Sequence, residues 1–177
     1  MKNFTKVSFI FVLLVSLFSC SEEDIELTPW PADADPVFSA NVDGSAFAQD
    51  STGVDAYAYT TEIEYDFNDE DNNVIEEGTY DAIRILAANG SNSIALVFPS
   101  ETVEGTYSIS STQGYFLANY LMNTGEESAT NRANSGLITI TLHNQDANYV
   151  EGYFDFETSE HHISDGVFKT FYAVSEE

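Results

Sequence analysis

Past Pro36 the chain alternates in hydrophobicity with a period of two. In AYAYTTEIEYDF, residues 56–67, Tyr57, Tyr59, Ile63, Tyr65 and Phe67 share one parity. Ala58, Thr60, Glu62, Glu64 and Asp66 share the other. Successive side chains of a strand point to opposite faces, so this pattern predicts a strand with the aromatic set buried and the acidic set wet. In GLITITLH the inward set is Ile138, Ile140 and Leu142, with Thr139 and Thr141 outward. In YVEGYFDFET, Val150, Phe154 and Phe156 alternate with Glu151, Tyr153, Asp155 and Glu157. DAIRILAANG and SIALVFP are apolar on both parities, which suits strands central to a sheet. Val167 to Val174 predicts a closing strand, and Tyr115 to Met122 fits a strand better than a short helix.

Turn signals separate these runs. Asp43-Gly44 predicts a hairpin joining SANV to SAFA. Asn89-Gly90-Ser91-Asn92 and His143-Asn144-Gln145-Asp146 are two further polar breaks. No long amphipathic helix and no repeat of about 20–50 residues is visible. Eight to ten short strands, with turns about every ten residues, predict an all-β domain: an antiparallel β-sandwich or barrel.

The first residues follow another rule. Lys2 and Lys6 precede a run from Val7 to Phe18 that is apolar apart from Ser8 and Ser16. A bilayer span needs roughly 20 residues, so this shorter run reads as a secretory signal. Leu17-Phe18-Ser19-Cys20 resembles a bacterial lipobox, with Phe18 bulkier than the usual residue at its place. That resemblance implies removal of residues 1–19 and lipid attachment to Cys20. The alternative is an ordinary signal followed by an unpaired thiol, since Cys20 has no partner for a disulfide. Ser21-Glu22-Glu23-Asp24 resembles the acidic export signal of Bacteroidota surface lipoproteins. It can also be read as the start of a solvated acidic linker, with the protein facing the periplasm. Residues 20–36 hold Pro29, Pro31 and Pro36, with Trp30 between two of them, and read as a tether. Residues 37–177 are then one domain.

Charge narrows the partners. The chain carries 30 acidic and 5 basic residues. Beyond Cys20 only Arg84, Arg132 and Lys169 are basic. Such a balance excludes electrostatic binding of nucleic acid or anionic head groups and favours solubility at a crowded surface. Thirteen Phe and ten Tyr exclude a disordered chain.

The C-terminal half, GLITITLHNQD, EGYFDFET and ISDGVFKTFYA, resembles a family of uncharacterised Bacteroidota lipoproteins. The shared grammar is a G-x-I-x-I strand, a G-x-F-x-F strand and a last strand with a Gly-x-Phe step. Phe38-Ser39-Ala40-Asn41-Val42-Asp43-Gly44 matches the N-terminal element of the same family. Tyr153 stands where small Thr is common. The resemblance implies fold and location and carries over no catalytic residue.

Candidate chemistry is sparse. Asp66, Asn68, Glu70 and Glu77 fall at positions 1, 3, 5 and 12 of a calcium-loop template. Position 6 is Asp71 where that template needs Gly, so a solvated hairpin tip between strands 56–67 and 80–88 is the alternative. His161 and His162, near Glu160 and Asp165, lack a third ligand spacing for zinc and read as a polar turn, as His143 reads as a strand end. No strand–GxSxG–helix context offers a nucleophile. Tyr153 lies outward among Glu151, Asp155 and Glu157, where an exposed ring can stack on a sugar or hold a cross-strand pair. The expectation is a lipid-anchored envelope protein without catalytic activity and without a required cofactor. It would bind a glycan or a protein, or else serve as a structural part of an envelope assembly.

Overall fold

The computed structural model describes residues 37–47, 54–68, 74–90, 92–110, 115–123 and 128–174. Cys20 and Ser21 to Asp24 lie outside the described residues, as does Glu70. Eleven strands and no helix make up the described residues: β1 Val37–Val42, β2 Ser45–Ala46, β3 Val54–Asn68, β4 Val74–Asn89, β5 Asn92–Pro99 and β6 Gly105–Ser110. They continue with β7 Leu117–Asn123, β8 Ser128–Arg132, β9 Ser135–Asn144, β10 Tyr149–Glu157 and β11 His162–Ala173.

The strand order is β6-β9-β10-β11-β3-β4-β5-β7-β8, with β1 on β11 and β2 on β1. The expected all-β class is therefore observed. The sheet has two ends and does not close into a barrel; a sandwich-like arrangement is what remains. Two differences from the expectation are specific. The described residues hold eleven strands where about eight to ten were expected. One pair is parallel: Tyr172 and Ala173 of β11 lie beside Ala58 and Tyr59 of β3. Strand β11 is long enough to serve two sheets. Its first part pairs with β1 and β10, and its last two residues pair with β3. Sheet A is thus β6-β9-β10-β11-β1-β2, and sheet B is β3-β4-β5-β7-β8.

One core joins them. Ile138, Ile140, Phe154, Phe156 and Phe168 from sheet A share a buried cluster with Ile83, Ile85, Leu96 and Phe98 from sheet B. The rings of Phe98 and Phe168 meet at 6.3 Å. The glycine–phenylalanine grammar has a packing cause. Gly152 is the register partner of Phe168, and Gly166 that of Phe154. A Cβ on Gly152 would meet the Phe168 ring, and one on Gly166 would meet the Phe154 ring. Each ring lies over the glycine opposite, so two strands exchange bulk for space.

The turns follow their chemistry. Asp43 and Gly44 both take positive φ, 51° and 76°, which is the geometry of a two-residue hairpin loop. Gly90, at φ 59°, turns β4 into β5.

Strand β3 corrects the expected parity. Tyr57 is 51 % exposed while Ala58 is 7 % exposed. The core side of β3 holds the small residues because Ala58 lies beside the bulky, buried Tyr172. Bulk on β11 leaves room only for alanine there and turns Tyr57 outward, whereas farther along β3 Glu62 and Glu64 are exposed and Ile63 and Tyr65 half-buried, as expected. The hairpin tip is also shorter than expected. β3 runs to Asn68 and β4 starts at Val74, and Asp66 stands opposite Glu77 in the ladder. Positions 1, 3 and 12 of the calcium-loop template therefore sit on paired strands.

Candidate functional site

The outer face of sheet A carries an open groove of about 510 Å³. Its lining includes Leu137 and Thr139 from β9, Tyr153 and Asp155 from β10, and Asp165 and Val167 from β11. Tyr153 stands in the middle, in register with Thr139 on one side and Val167 on the other. The alternation of β10 forces it outward, since Phe154 and the flanking Gly152 are buried. The ring is 56 % exposed, so the expected wet placement is observed.

A β-bulge shapes one wall. Phe154 pairs with Gly166 but Phe156 pairs with Ile163, so β11 spends extra residues around Asp165. Asp165 takes φ 51°, a left-handed conformation that asparagine and aspartate tolerate better than other non-glycine residues. The bulge turns its carboxylate toward the groove. The Asn41 amide donates to Asp165 Oδ2 at 2.9 Å. Across the groove, Asp155 Oδ2 lies 3.4 Å from His162 Nε2. Neither aspartate uses its Oδ1 in a hydrogen bond among the described residues. Thr139 and Thr106 share a hydroxyl contact of 3.0 Å on the adjacent strands. A flat ring, two carboxylates with an open oxygen each and a threonine hydroxyl are suited to an uncharged polyhydroxylated ligand. The ring gives an apolar stacking surface and the oxygens accept hydroxyl hydrogens.

Glu151 is less available than its position suggested. Its Oε2 accepts from Tyr149 at 2.9 Å and lies 3.4 Å from Lys169 Nζ. Burial, and then the Glu151 carboxylate, push the Tyr149 phenol up to about 12. Glu157 is exposed beyond the groove.

The remaining polar clusters act on structure. The His161 Nδ1–H donates to Asp43 Oδ2 at 2.7 Å, and the His162 N–H donates to Asp43 Oδ1 at 3.0 Å. Asp43 thereby clasps the β10–β11 turn to the β1–β2 hairpin. Its hydrogen bond from His161, followed by that from His162, holds its carboxyl below the usual 3.8. A depressed carboxylate stabilises the fold above its unfolded pKa, and the contribution disappears as pH falls through the lower folded value. Melting curves of the wild type and Asp43→Asn should therefore differ at neutral pH and converge in strong acid. A constant difference at every pH would remove the clasp.

The Nε2 of His161 and the Nδ2 of Asn131 are buried without hydrogen bonds. Both surround Tyr120, whose ring stands edge-on to His161 at 5.0 Å. An aspartate–histidine pair needs a nucleophile on Nε2 to act in acyl transfer, and no hydroxyl or thiol bonds to it among the described residues. His143, by contrast, is satisfied at both ring nitrogens. Its Nδ1–H donates to the Thr102 carbonyl at 2.6 Å, and its Nε2 accepts from the Tyr172 hydroxyl at 3.0 Å. No group of three or more metal-binding side chains occurs among the described residues. Glu77 is exposed on β4 opposite Asp66. At the same hairpin Tyr65, Tyr80 and Tyr115 cluster around Glu76, which accepts from Tyr65 at 3.0 Å and Tyr115 at 3.2 Å. The Tyr115 hydroxyl and then Glu76 raise the Tyr65 pKa.

Sequence reasoning found Tyr153 and Asp155 but missed Asp165, Asn41 and Leu137 as parts of one site. Only the register of three strands unites them. The one local signal was a glycine inside a strand, Asp165-Gly166, which marks bulges.

No curated protein and no solved structure matches the chain. A family described as a domain of unknown function (DUF6252) matches residues 72–173, which hold β4 to β11 and therefore both β10 and the bulge. The chain belongs to this family of domains of unknown function.

Proposed function

We propose that the protein is a lipid-anchored cell-envelope module, without catalysis of its own, that binds neutral glycan on the outer face of sheet A. The observation that carries the binding reading is Tyr153, 56 % exposed between the carboxylates of Asp155 and Asp165. A stable fold has no need of a large exposed ring beside a left-handed aspartate. Such a pairing of stacking surface and hydroxyl acceptors is what a sugar requires. The lipobox-like sequence before Cys20 and the acidic run Ser21 to Asp24 support anchoring at the outer membrane with display on the cell surface.

A glycan array probed with the purified chain should give a set of neutral saccharide hits. Tyr153→Ala should weaken them about tenfold or more while leaving the melting temperature unchanged. Asp165→Asn, which keeps the left-handed turn and the bond with Asn41 within reach, should weaken them too. Full binding by both variants would sink this reading. In the source cell, Cys20→Ala should move the protein from the membrane to the soluble fraction; retention on the membrane would sink the anchor.

A further inference from the structure

Two cross-strand rows on the outer face of sheet B, next to the row that holds Asp55, differ from most of the chain in charge. Tyr57, Leu86, Ala95, Asn119 and Arg132 stand in one cross-strand row, in which Ala95 is fully buried. Tyr59, Arg84, Val97 and Leu117 stand in the next, in which Val97 is buried. Residues directly opposite in an antiparallel ladder share a face, so these side chains lie on one side of the sheet, with the exposed Tyr57 at its β3 edge. Neither row holds a carboxylate, in a chain with 30 acidic residues and 5 basic ones.

Arg84 is the centre of this face. Ile83 and Ile85 beside it are fully buried in the core, so alternation sends Arg84 outward. Its Nε is nonetheless buried and has no hydrogen-bond partner. Neither the Arg84 nor the Arg132 side chain makes a hydrogen bond or ion pair among the described residues, although the Arg132 charge acts on the Tyr80 phenol. Withdrawing a guanidinium donor from water without a partner is costly, so such a group calls for an explanation. Next to it the rings of Tyr57 and Tyr59 lie nearly parallel, 13° apart with centroids at 6.0 Å. Tyr57 is half exposed, which leaves a flat aromatic platform open.

We propose that this face is a second binding site, for the carboxylate of a uronate sugar. Arg84 takes the carboxylate end-on through its two terminal Nη groups, since its Nε is buried. The Tyr57–Tyr59 platform stacks on the pyranose ring. Arg132 lies three strands away, roughly 15 Å at strand spacing, where it meets a further acidic unit of an oligosaccharide. The site is independent of Tyr153, which stands on the outer face of the other sheet.

The test is calorimetric titration of the full chain with an oligogalacturonate and with its methyl ester. The acid form should bind, and the ester should bind at least about tenfold more weakly. Arg84→Met should lose about tenfold or more of the affinity for the acid form without a fall in melting temperature, because an unpaired buried donor is removed. Arg84→Lys should keep the fold and lose part of the affinity, since it keeps the charge and lacks the fork. Tyr153→Ala should bind the acid form as the wild type does, which separates this site from the groove on sheet A. Equal binding of acid and ester, no binding of the acid form at millimolar concentration, or unchanged affinity in Arg84→Met would each overturn the proposal. Unchanged affinity in Arg84→Lys, together with a lower melting temperature in Arg84→Met, would assign the guanidinium to structure and overturn it as well.

Discussion

Gly152→Ala is expected to destabilise the domain by about 3 kcal/mol, the upper part of the range for overpacked cores. Alanine in place of glycine in a strand ordinarily helps, by roughly 0.5–1 kcal/mol, because the unfolded chain loses freedom. Here the space is already taken. The added Cβ would collide with the Thr139 carbonyl oxygen of β9 and lie 2.7 Å from the Phe168 ring. A ring can tilt, but the carbonyl belongs to a neighbouring strand and cannot yield without shifting the ladder. The clash therefore outweighs the entropic gain. Urea unfolding should show a lower midpoint with an unchanged slope. Gly78→Ala is the contrast, since its Cβ meets only the far end of Tyr65, at 3.1 Å, on an outer face. If Gly152→Ala costs no more than Gly78→Ala, the interlock of β10 with β11 is not what holds sheet A.

Phe98→Ala should cost about 3–5 kcal/mol, equivalent to roughly 10 °C in melting temperature. Phe98 is fully buried on β5, and its ring reaches Phe168 across the space between the sheets. Removing it leaves a cavity where sheet B touches sheet A, walled by strands whose backbones are fixed by their own ladders. Little collapse is possible, so the cost falls toward the upper end of the range. Phe98→Leu should recover much of it. Because both sheets share β11, the variant should still unfold in one transition. Two separate transitions would mean that the sheets are stable independently and that this contact does not couple them.

These two residues also show where sequence reasoning works. On β9 and β10 the inner and outer sets differ sharply, Ile and Phe against Thr, Asp and Glu, and the buried face follows them except at Leu142, expected inward, which a bulge sets opposite the outward Glu151. On β4 and β5 both parities are apolar, and both strands lie inside sheet B. On β3 the choice lay between tyrosine and alanine. Hydrophobic bulk pointed to tyrosine, but a parallel neighbour, Tyr172, had already filled the core side. That pairing joins residues more than a hundred positions apart and leaves no mark on the local pattern. The groove divides in the same way. Tyr153 and Asp155 lie on one strand, and their exposure follows from parity. Asp165 enters through a bulge whose position depends on β1 and β10 together, and Asn41 reaches it from the other end of the chain order. Arg84 was visible as one of few cations, but its neighbours across three strands were not.

Strand β11 also governs the order of assembly. It comes after every other described strand, yet each sheet needs it: sheet A for a central position and sheet B for its first neighbour. Until it is available, β10, β1 and β3 each present an unsatisfied edge, and no smaller part of the chain can close the core. Contacts of such long sequence separation form slowly, because loop closure precedes any return in energy. The fold therefore favours a chain that is kept open until all of it has emerged, and it exposes sticky edges to any neighbour that arrives first.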